Sequence, residues 1–463
     1  MITATTKDAY ELMHRGVLAL QKASQNGMRI DVEYCKQKIK ELSTVIDSQY
    51  AQFWESNVGK IWASIYKEKR NVNSDLQLRY ILFKQLKRKP TKFTSNENSS
   101  VDFEVLSELG KELPEISHLI KIRKYQKARD TYLKGLLREQ VNGILHPFFP
   151  THLVRTFRSS SNSINFHNQP KRDKRIKKIV RSAIFPRLGH QLGSADYAGI
   201  EVTISACYTE DDRLIHDIIH GDMHRDMAQE LYMIDEIDKH HPGENNLRQG
   251  GKNSFVFPEF YGDYWRNCAA GLLKWAGIST LKDGTPALVH LQNKKLIKLD
   301  KNGAIRDFEK FEDHVRKIED DFWNVRYRKY QAWKDNQWKK YTKQGYIDSL
   351  TGFRYSGIMN RKQVNNYPIQ GSAFHCLLWS FIELTDRLEN WDTNLIGQIH
   401  DESVADIAPD ECDSFFTMTQ QITCKELPDV WKWIIVPLKI EAEVAPVDAS
   451  WNELADYEIK ENN

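Results

Sequence analysis

The residues of this chain best suited to chemistry are two carboxylates set at the ends of apolar runs. Asp196 lies in Ser194-Ala195-Asp196-Tyr197-Ala198-Gly199-Ile200-Glu201, and Asp401 in Gln398-Ile399-His400-Asp401-Glu402. Each run reads as a strand, and two carboxylates on neighbouring strands are what a pair of divalent cations requires. Magnesium takes oxygen ligands and keeps several of its waters, so a two-ion site for phosphoryl transfer uses few protein carboxylates and lets substrate phosphates complete the shell. Between the two stretches, Arg248, Lys252, Phe257, Tyr261 and Gly262 form a basic, aromatic segment suited to holding a triphosphate and a base. Together these residues point to metal-assisted nucleotidyl transfer. Either Asp taken alone reads far more readily as a surface or capping residue, so the argument rests on the surroundings.

The elements that must position these groups are partly legible. Tyr10, Leu12, Met13, Val17, Leu18 and Leu20 recur near helical spacing within residues 7–55, and Gly27 with Arg29-Ile30-Asp31 breaks the run before a second helix that Asp31 can N-cap. Residues 73–140 continue mainly helical, with Lys89-Pro90 as a break and Thr94–Ser100 as a loop. From Gly143 the pattern turns to short apolar runs, Ile144–Phe149, His190–Gly193 and Ile200–Ala206, which read as strands. Helix is expected again over Asp211–Trp275 and Phe308–Lys343, the latter with an aromatic stripe of Trp323, Tyr327, Tyr330, Trp333 and Trp338 that reads as core packing. Ile396–Ile399, Ser403–Ile407 and Leu438–Val444 return to strand. If Asp196 and Asp401 share ions, the two strand-bearing parts must meet in one sheet.

A chain of 463 residues with 40% hydrophobic content calls for two to four lobes rather than one small core. Net charge is only +3, so a polyanion site must come from local clusters. Two are visible: Lys171, Arg172, Lys174, Arg175, Lys177, Lys178 and Arg181, and Lys121, Arg123, Lys124, Lys127, Arg129, Lys134 and Arg138. Such runs suit phosphate-backbone contact, although each alone also fits a solvated helix face. The six cysteines, at 35, 207, 268, 376, 412 and 424, form no CxxC pair, so free thiols are expected and zinc is not. No signal-peptide pattern or long apolar stretch is present, which argues against secretion and membrane insertion and favours the cytoplasm of a bacterium or phage-infected host cell.

Asp196-Tyr197-Ala198-Gly199-Ile200-Glu201, Arg248 with Lys252 ahead of Tyr261-Gly262, and His400-Asp401-Glu402 resemble, in this order, the three signature motifs of the family A DNA polymerases. Thr156-Phe157-Arg158-Ser159-Ser160-Ser161-Asn162 followed by Asn168-Gln169-Pro170, then Arg181-Ser182-Ala183-Ile184-Phe185, Asp222-Met223-His224, Gly345-Tyr346 with Thr351-Gly352-Phe353-Arg354, and Asn366-Tyr367-Pro368-Ile369-Gln370-Gly371-Ser372-Ala373 extend the resemblance to about residue 451. It implies an α+β right-hand fold with an antiparallel-sheet palm and largely helical fingers and thumb. The implied divisions are an N-terminal palm segment 1–32, thumb 33–145, palm with motif A 146–206, fingers 207–394, and palm with motif C 395–463. Asp196 and Asp401 are then the ligands of two Mg2+ ions, for which Mn2+ could substitute, assisted by the Tyr197 carbonyl. Arg248, Lys252 and His224 contact the triphosphate, with Lys252 the candidate proton donor to pyrophosphate. Glu201, held by the Tyr261 hydroxyl, is the steric gate against a ribose 2′-OH. Arg158, Asn168, Asn366, Gln370, Gln398 and His400 line the primer-template minor groove, where hydrogen-bond acceptors are nearly independent of sequence; Arg181 and Arg354 are also expected at DNA. The implied activity is template-directed, primer-dependent addition of dNMP to a primer 3′-OH, with primer-template and dNTPs as partners and no membrane. A monomer is expected, with a separate exonuclease or processivity factor left open.

The chain departs from the family pattern in three places. Lys252 to Tyr261 spans nine positions where the family has eight, and Pro258 falls inside what should be a continuous helix. An extra helical residue is commonly absorbed as a π turn, which predicts a bulge between Ser254 and Glu259. The base-stacking residue is then Phe257, which keeps four from Tyr261, or Val256, which keeps four from Lys252; a Phe there implies discrimination against dideoxynucleotides. Ala198 and Gly199 replace the usual Ser and Gln, and Phe157 replaces a Gly before Arg158. Because the resemblance begins near Met1, no proofreading exonuclease is expected in this chain. The Lys252–Tyr261 segment has the look of a phage or other mobile-element enzyme.

Overall fold

The computed structural model describes residues 4–94, 97–171 and 173–460. Arg172 of the first basic run, and residues 95 and 96 of the expected loop, lie outside the described residues.

Helix α1 (Thr6–Asn26) opens on a capping box in which the Thr5 and Asp8 side chains each accept from the other's backbone N–H. Gly27 ends it at φ +66°, and a Cβ there would come within 2.5 Å of the Leu145 carbonyl oxygen. The chain then pairs Met28–Ile30 antiparallel with both Ile144–Leu145 and Ile184–Phe185. Asp31 caps helix α2 (Val32–Glu55), accepting from the Tyr34 N–H at 2.8 Å as its position predicts. Helix α2 packs along α3 (Ile116–Gln126). Phe53, Trp62, Leu78, Ile116 and Leu119 belong to a core confined to residues 53–122, separate from the main one.

Strand β1 (Gln191–Tyr197) is the centre of a five-stranded antiparallel sheet. With β2 (Asn394–Ile399), β3 (Glu402–Ile407), β4 (Ile440–Val444) and β5 (Ala455–Tyr457), the order across the sheet is β5-β4-β1-β3-β2. The two strand-bearing parts of the sequence therefore meet, as a shared ion site requires. With helices forming most of the remainder, the class is α+β.

Ile200–Ala206 is not a strand but the greater part of helix α4 (Ile200–Thr209). Thr203, Ile204, Ser205, Ala206 and Cys207 are all buried, so this helix has no polar face and shows no helical period in the sequence. The expected long helix over 211–275 is divided into Asp212–His220, α5 (Met223–Tyr232), α6 (Pro242–Gly251) with its continuation, and α7 (Trp265–Ala276). The aromatic stripe is core: Tyr327 and Tyr330, at 0% and 1% exposed, anchor α8 (Arg328–Gln344), each contributing about 1.5–3 kcal/mol by burial. Helix α9 (Arg361–Arg387) passes against α1, α4 and α8 and carries Asn366 and Gln370.

Candidate active site

Strand register brings the two aspartates together. Asp196 pairs with Glu402 on β3 and with Glu441 on β4, while Asp401 occupies the two-residue turn between β2 and β3. The Tyr197 N–H donates to the Asp401 carbonyl at 3.3 Å, locking the turn beside the end of β1. His400, the other turn residue, has φ +55°, a left-handed conformation that tight hairpins demand and that costs a non-glycine residue about 1–2 kcal/mol. Gly199, with φ +64°, makes the turn from β1 into α4, which gives the departure from the family pattern there a conformational reason.

Asp196 and Asp401 border one cavity of about 220 Å³, with Tyr197, Glu201, Phe257, Tyr261, Asn366 and Gln370 among its other walls. Burial, and then the neighbouring Glu402 and Asp401 charges, push the Asp196 carboxyl up to about 7. Negative charge is thus crowded where a cation would relieve it. The donors are oxygens only, from two carboxylates and the Tyr197 backbone. Among the described residues no group of three or more His, Cys, Asp or Glu side chains is arranged to hold an ion. That sparse oxygen set fits magnesium whose shell is completed by phosphates and water.

Arg158 lies between the acidic groups, donating to Asp401 Oδ1 at 2.8 Å and Glu201 Oε1 at 3.0 Å. Glu201 also accepts from the Tyr261 hydroxyl, so this carboxylate and the tyrosine are joined. Burial raises the Glu201 carboxyl although Arg158 and Tyr261 oppose it. Asn366 fixes the Tyr261 end of the wall, its Nδ2 donating to the Tyr261 carbonyl at 3.0 Å.

The helix carrying the basic residues is π-wound over Lys252–Val256, with the Phe257 N–H bonded to the Lys252 carbonyl five residues back. The bulge begins two residues earlier than the sequence suggests, and Pro258, lacking an N–H, follows it inside the short helix Phe257–Phe260. One π turn places Phe257 a single turn beyond Lys252, whose Nζ lies 5.3 Å from the Phe257 ring centroid. Phe257 borders the cavity, whereas Val256 is fully buried in the core. His224 packs edge-on against Phe257 with centroids 5.5 Å apart, and its Nδ1 is buried without a protein partner. Burial, then Lys252 and Arg248, hold the His224 imidazole down to about 4, so it is neutral at neutral pH. Arg248 Nε donates to Asp222 at 2.8 Å. Burial alone would raise the Asp222 carboxyl, but this bond holds it below its ordinary value.

The model of DNA polymerase family A matches residues 36–272, which is 237 of the 463 positions and just over half the chain. The chain belongs to DNA polymerase family A. It is 28% identical over 406 residues to DNA polymerase I of Lactococcus lactis subsp. lactis, covering 84% of this chain and 41% of that protein. It is 27% identical over 448 residues to DNA polymerase I of Caldicellulosiruptor bescii, covering 94% and 46%. The chain thus spans less than half the length of these curated relatives. Among solved structures, the POL domain of Pol1 from M. smegmatis, in complex with DNA primer-template and dNTP, superposes with a TM-score of 0.71 at 21% identity, covering 95% of this chain and 70% of that one. That likeness establishes a polymerase-domain fold.

Other residues singled out from the family A motifs fall in varied places. Gln398 is buried beside the β2–β3 turn, accepting from Ser159 Oγ at 2.6 Å and contacting His167 Nε2 at 3.1 Å. His400 and His167 have ring centroids 5.5 Å apart. Asn168 is exposed at the end of the short helix Phe166–Asn168, and Gln370 faces the cavity. Arg354 is exposed, held bidentate by Asp348 and stacked over Tyr346 at 3.8 Å. Arg181 corrects the sequence reading: it is 7% exposed with its guanidinium 4.1 Å over the Trp451 ring, a packing position rather than a DNA-facing one. Its neighbours Lys171, Lys174 and Lys178 remain exposed. In the second run, Arg123 pairs with Asp75, and Arg129 and Lys134 both pair with Asp130. His167, Glu441 and Tyr330 were missed by motif reading; alternation in Ile440-Glu441-Ala442-Glu443-Val444 was the available signal for Glu441. For described residues, no helix is long and apolar enough to cross a membrane.

Proposed function

We propose that this chain is a template-directed, primer-dependent DNA polymerase that adds dNMP to a primer 3′-OH and releases pyrophosphate. The observation that carries this reading is the cavity bordered by Asp196 and Asp401 on one side and by Phe257 and the joined Glu201–Tyr261 pair on another. Asp196, Asp401 and the Tyr197 carbonyl would hold two magnesium ions, which when bound promote loss of the 3′-hydroxyl proton and neutralise the phosphates. Arg248, Lys252 and neutral His224 orient the triphosphate, and Lys252 supplies a proton to the departing pyrophosphate. Phe257 stacks on the incoming base. Glu201, fixed by Tyr261 and Arg158, fills the space of a 2′-OH and so selects deoxynucleotides. Arg158, Asn168, Asn366, Gln370, Gln398 and His400 check pair geometry from the minor groove. In this reading residues 33–145 are the thumb, 207–394 the fingers, and 1–32, 146–206 and 395–463 the palm.

The test is extension of a labelled primer-template with magnesium and single dNTPs. Wild-type protein extends the primer by the templated nucleotide, and Asp401→Ala lowers the rate by roughly a thousandfold. Extension that survives the substitution overturns the site, and primer shortening in place of extension overturns the reaction.

A further inference from the structure

The lobes formed by residues 33–145 and 207–394 both arise from the sheet-bearing part of the chain, and they meet a second time away from it. The helix Phe103–Leu109 presents Glu104, and Lys274 near the end of α7 reaches it with Nζ to Oε1 at 3.1 Å. Glu104 is also held within its own lobe by Lys92 at 3.0 Å, and Lys92 in turn pairs with Asp102 at 2.7 Å. The hydrogen bonds from Lys92 and then Lys274 keep the Glu104 carboxyl below its ordinary range. The junction is an ion pair and not a packed interface, because Phe103 and Ile278, close to it in sequence, stay 68% and 69% exposed. Sheet, first lobe, ion pair and second lobe therefore form a closed circuit.

We propose that the Glu104–Lys274 pair is a clasp that encircles the DNA, closing the cleft into a ring and delaying dissociation between additions. The nature of the encircled ligand rests on the polymerase reading. An exposed pair of this kind changes an open–closed equilibrium by at most about fivefold. It can open to admit a duplex and close behind it, and its effect belongs to residence on DNA rather than to the chemical step.

Two measurements test this. Under single-encounter conditions with a heparin trap, Lys274→Glu shortens the mean product two- to fivefold while leaving single-nucleotide incorporation at saturating DNA unchanged, and Glu104→Lys combined with Lys274→Glu restores the length. A shortened product that the charge swap does not restore overturns the clasp. Independently of catalysis, Glu104→Cys/Lys274→Cys protein joined by a short bismaleimide after loading stays on a primed circle through a heparin and high-salt wash and slides off the same DNA once linearised. Wild-type protein taken through the same treatment controls for the native cysteines. Failure to form the cross-link, or equal retention on circle and linear DNA, overturns the proposal. Circle-specific retention by a chain that extends no primer would keep the clasp and reject the polymerase reading.

Discussion

Phe157 stands where the family places glycine, and its φ of +57° shows what the glycine is for. The left-handed backbone costs about 1 kcal/mol or more in a phenylalanine, and the ring recovers it by packing 5.0 Å from Phe353 and 5.3 Å from Tyr355. Phe157→Gly relieves the strain but removes the ring, so a net loss of about 1–2 kcal/mol is expected, read as a lower urea midpoint; an unchanged or higher midpoint would show that strain outweighs packing. That Asp196 and Asp401 would come to border one cavity was legible because motif order picks them out without any knowledge of packing. Phe257 and Val256 were not separable from spacing alone, since one π turn decides which of them leaves the core. Arg181 was misplaced because a basic run in sequence does not reveal that one of its members faces Trp451.

At the scale of elements, the helix from Pro242 to Phe260 absorbs one extra residue in a π turn and so keeps Phe257 on the side of Lys252. Asn253 lies in the π turn and is exposed. Its deletion converts the turn to α geometry, leaves Phe257 one turn from the lysine and four residues from Tyr261, and is expected to keep single-nucleotide incorporation within about tenfold of wild type. Inserting Ala between Val256 and Phe257 instead rotates Phe257 and Tyr261 by about 100° relative to Lys252, and incorporation should fall by a hundredfold or more. Equal activity of the two variants would mean that the side on which Phe257 lies does not matter. The bulge itself was readable from residue counting and Pro258. Helix α4 was not, because an element buried on every side carries no alternation by which to recognise it.

For the molecule as a whole, a buried histidine contributes to the loss of stability in acid. His375 is fully buried in α9, with Nδ1 2.7 Å from Thr351 Oγ1 and its ring stacked on Phe353 at 4.0 Å. Burial holds the imidazole down to about 3, against about 6.5 in the unfolded chain. Between these values the unfolded state binds the extra proton, so the contribution of His375 is complete above about pH 6.5 and is lost as pH falls toward 3, by up to about 1.4 kcal/mol per pH unit. Replacing His375 by Gln should therefore flatten the fall of the urea midpoint between pH 6.5 and 4; an unaltered slope would assign acid sensitivity elsewhere. The meeting of distant strands was inferable only from the chemical demand that two aspartates share ions, since nothing local in either stretch specifies its partner. That arrangement also sets an order of assembly during synthesis. The core within residues 53–122 needs only near neighbours and can form while the chain is still emerging, whereas β1 must wait for β3 and β4, made some two hundred residues later. The aspartates thus acquire their shared geometry among the last events of the protein's birth, and a nascent chain stalled before β3 carries Asp196 with no second carboxylate strand to meet it.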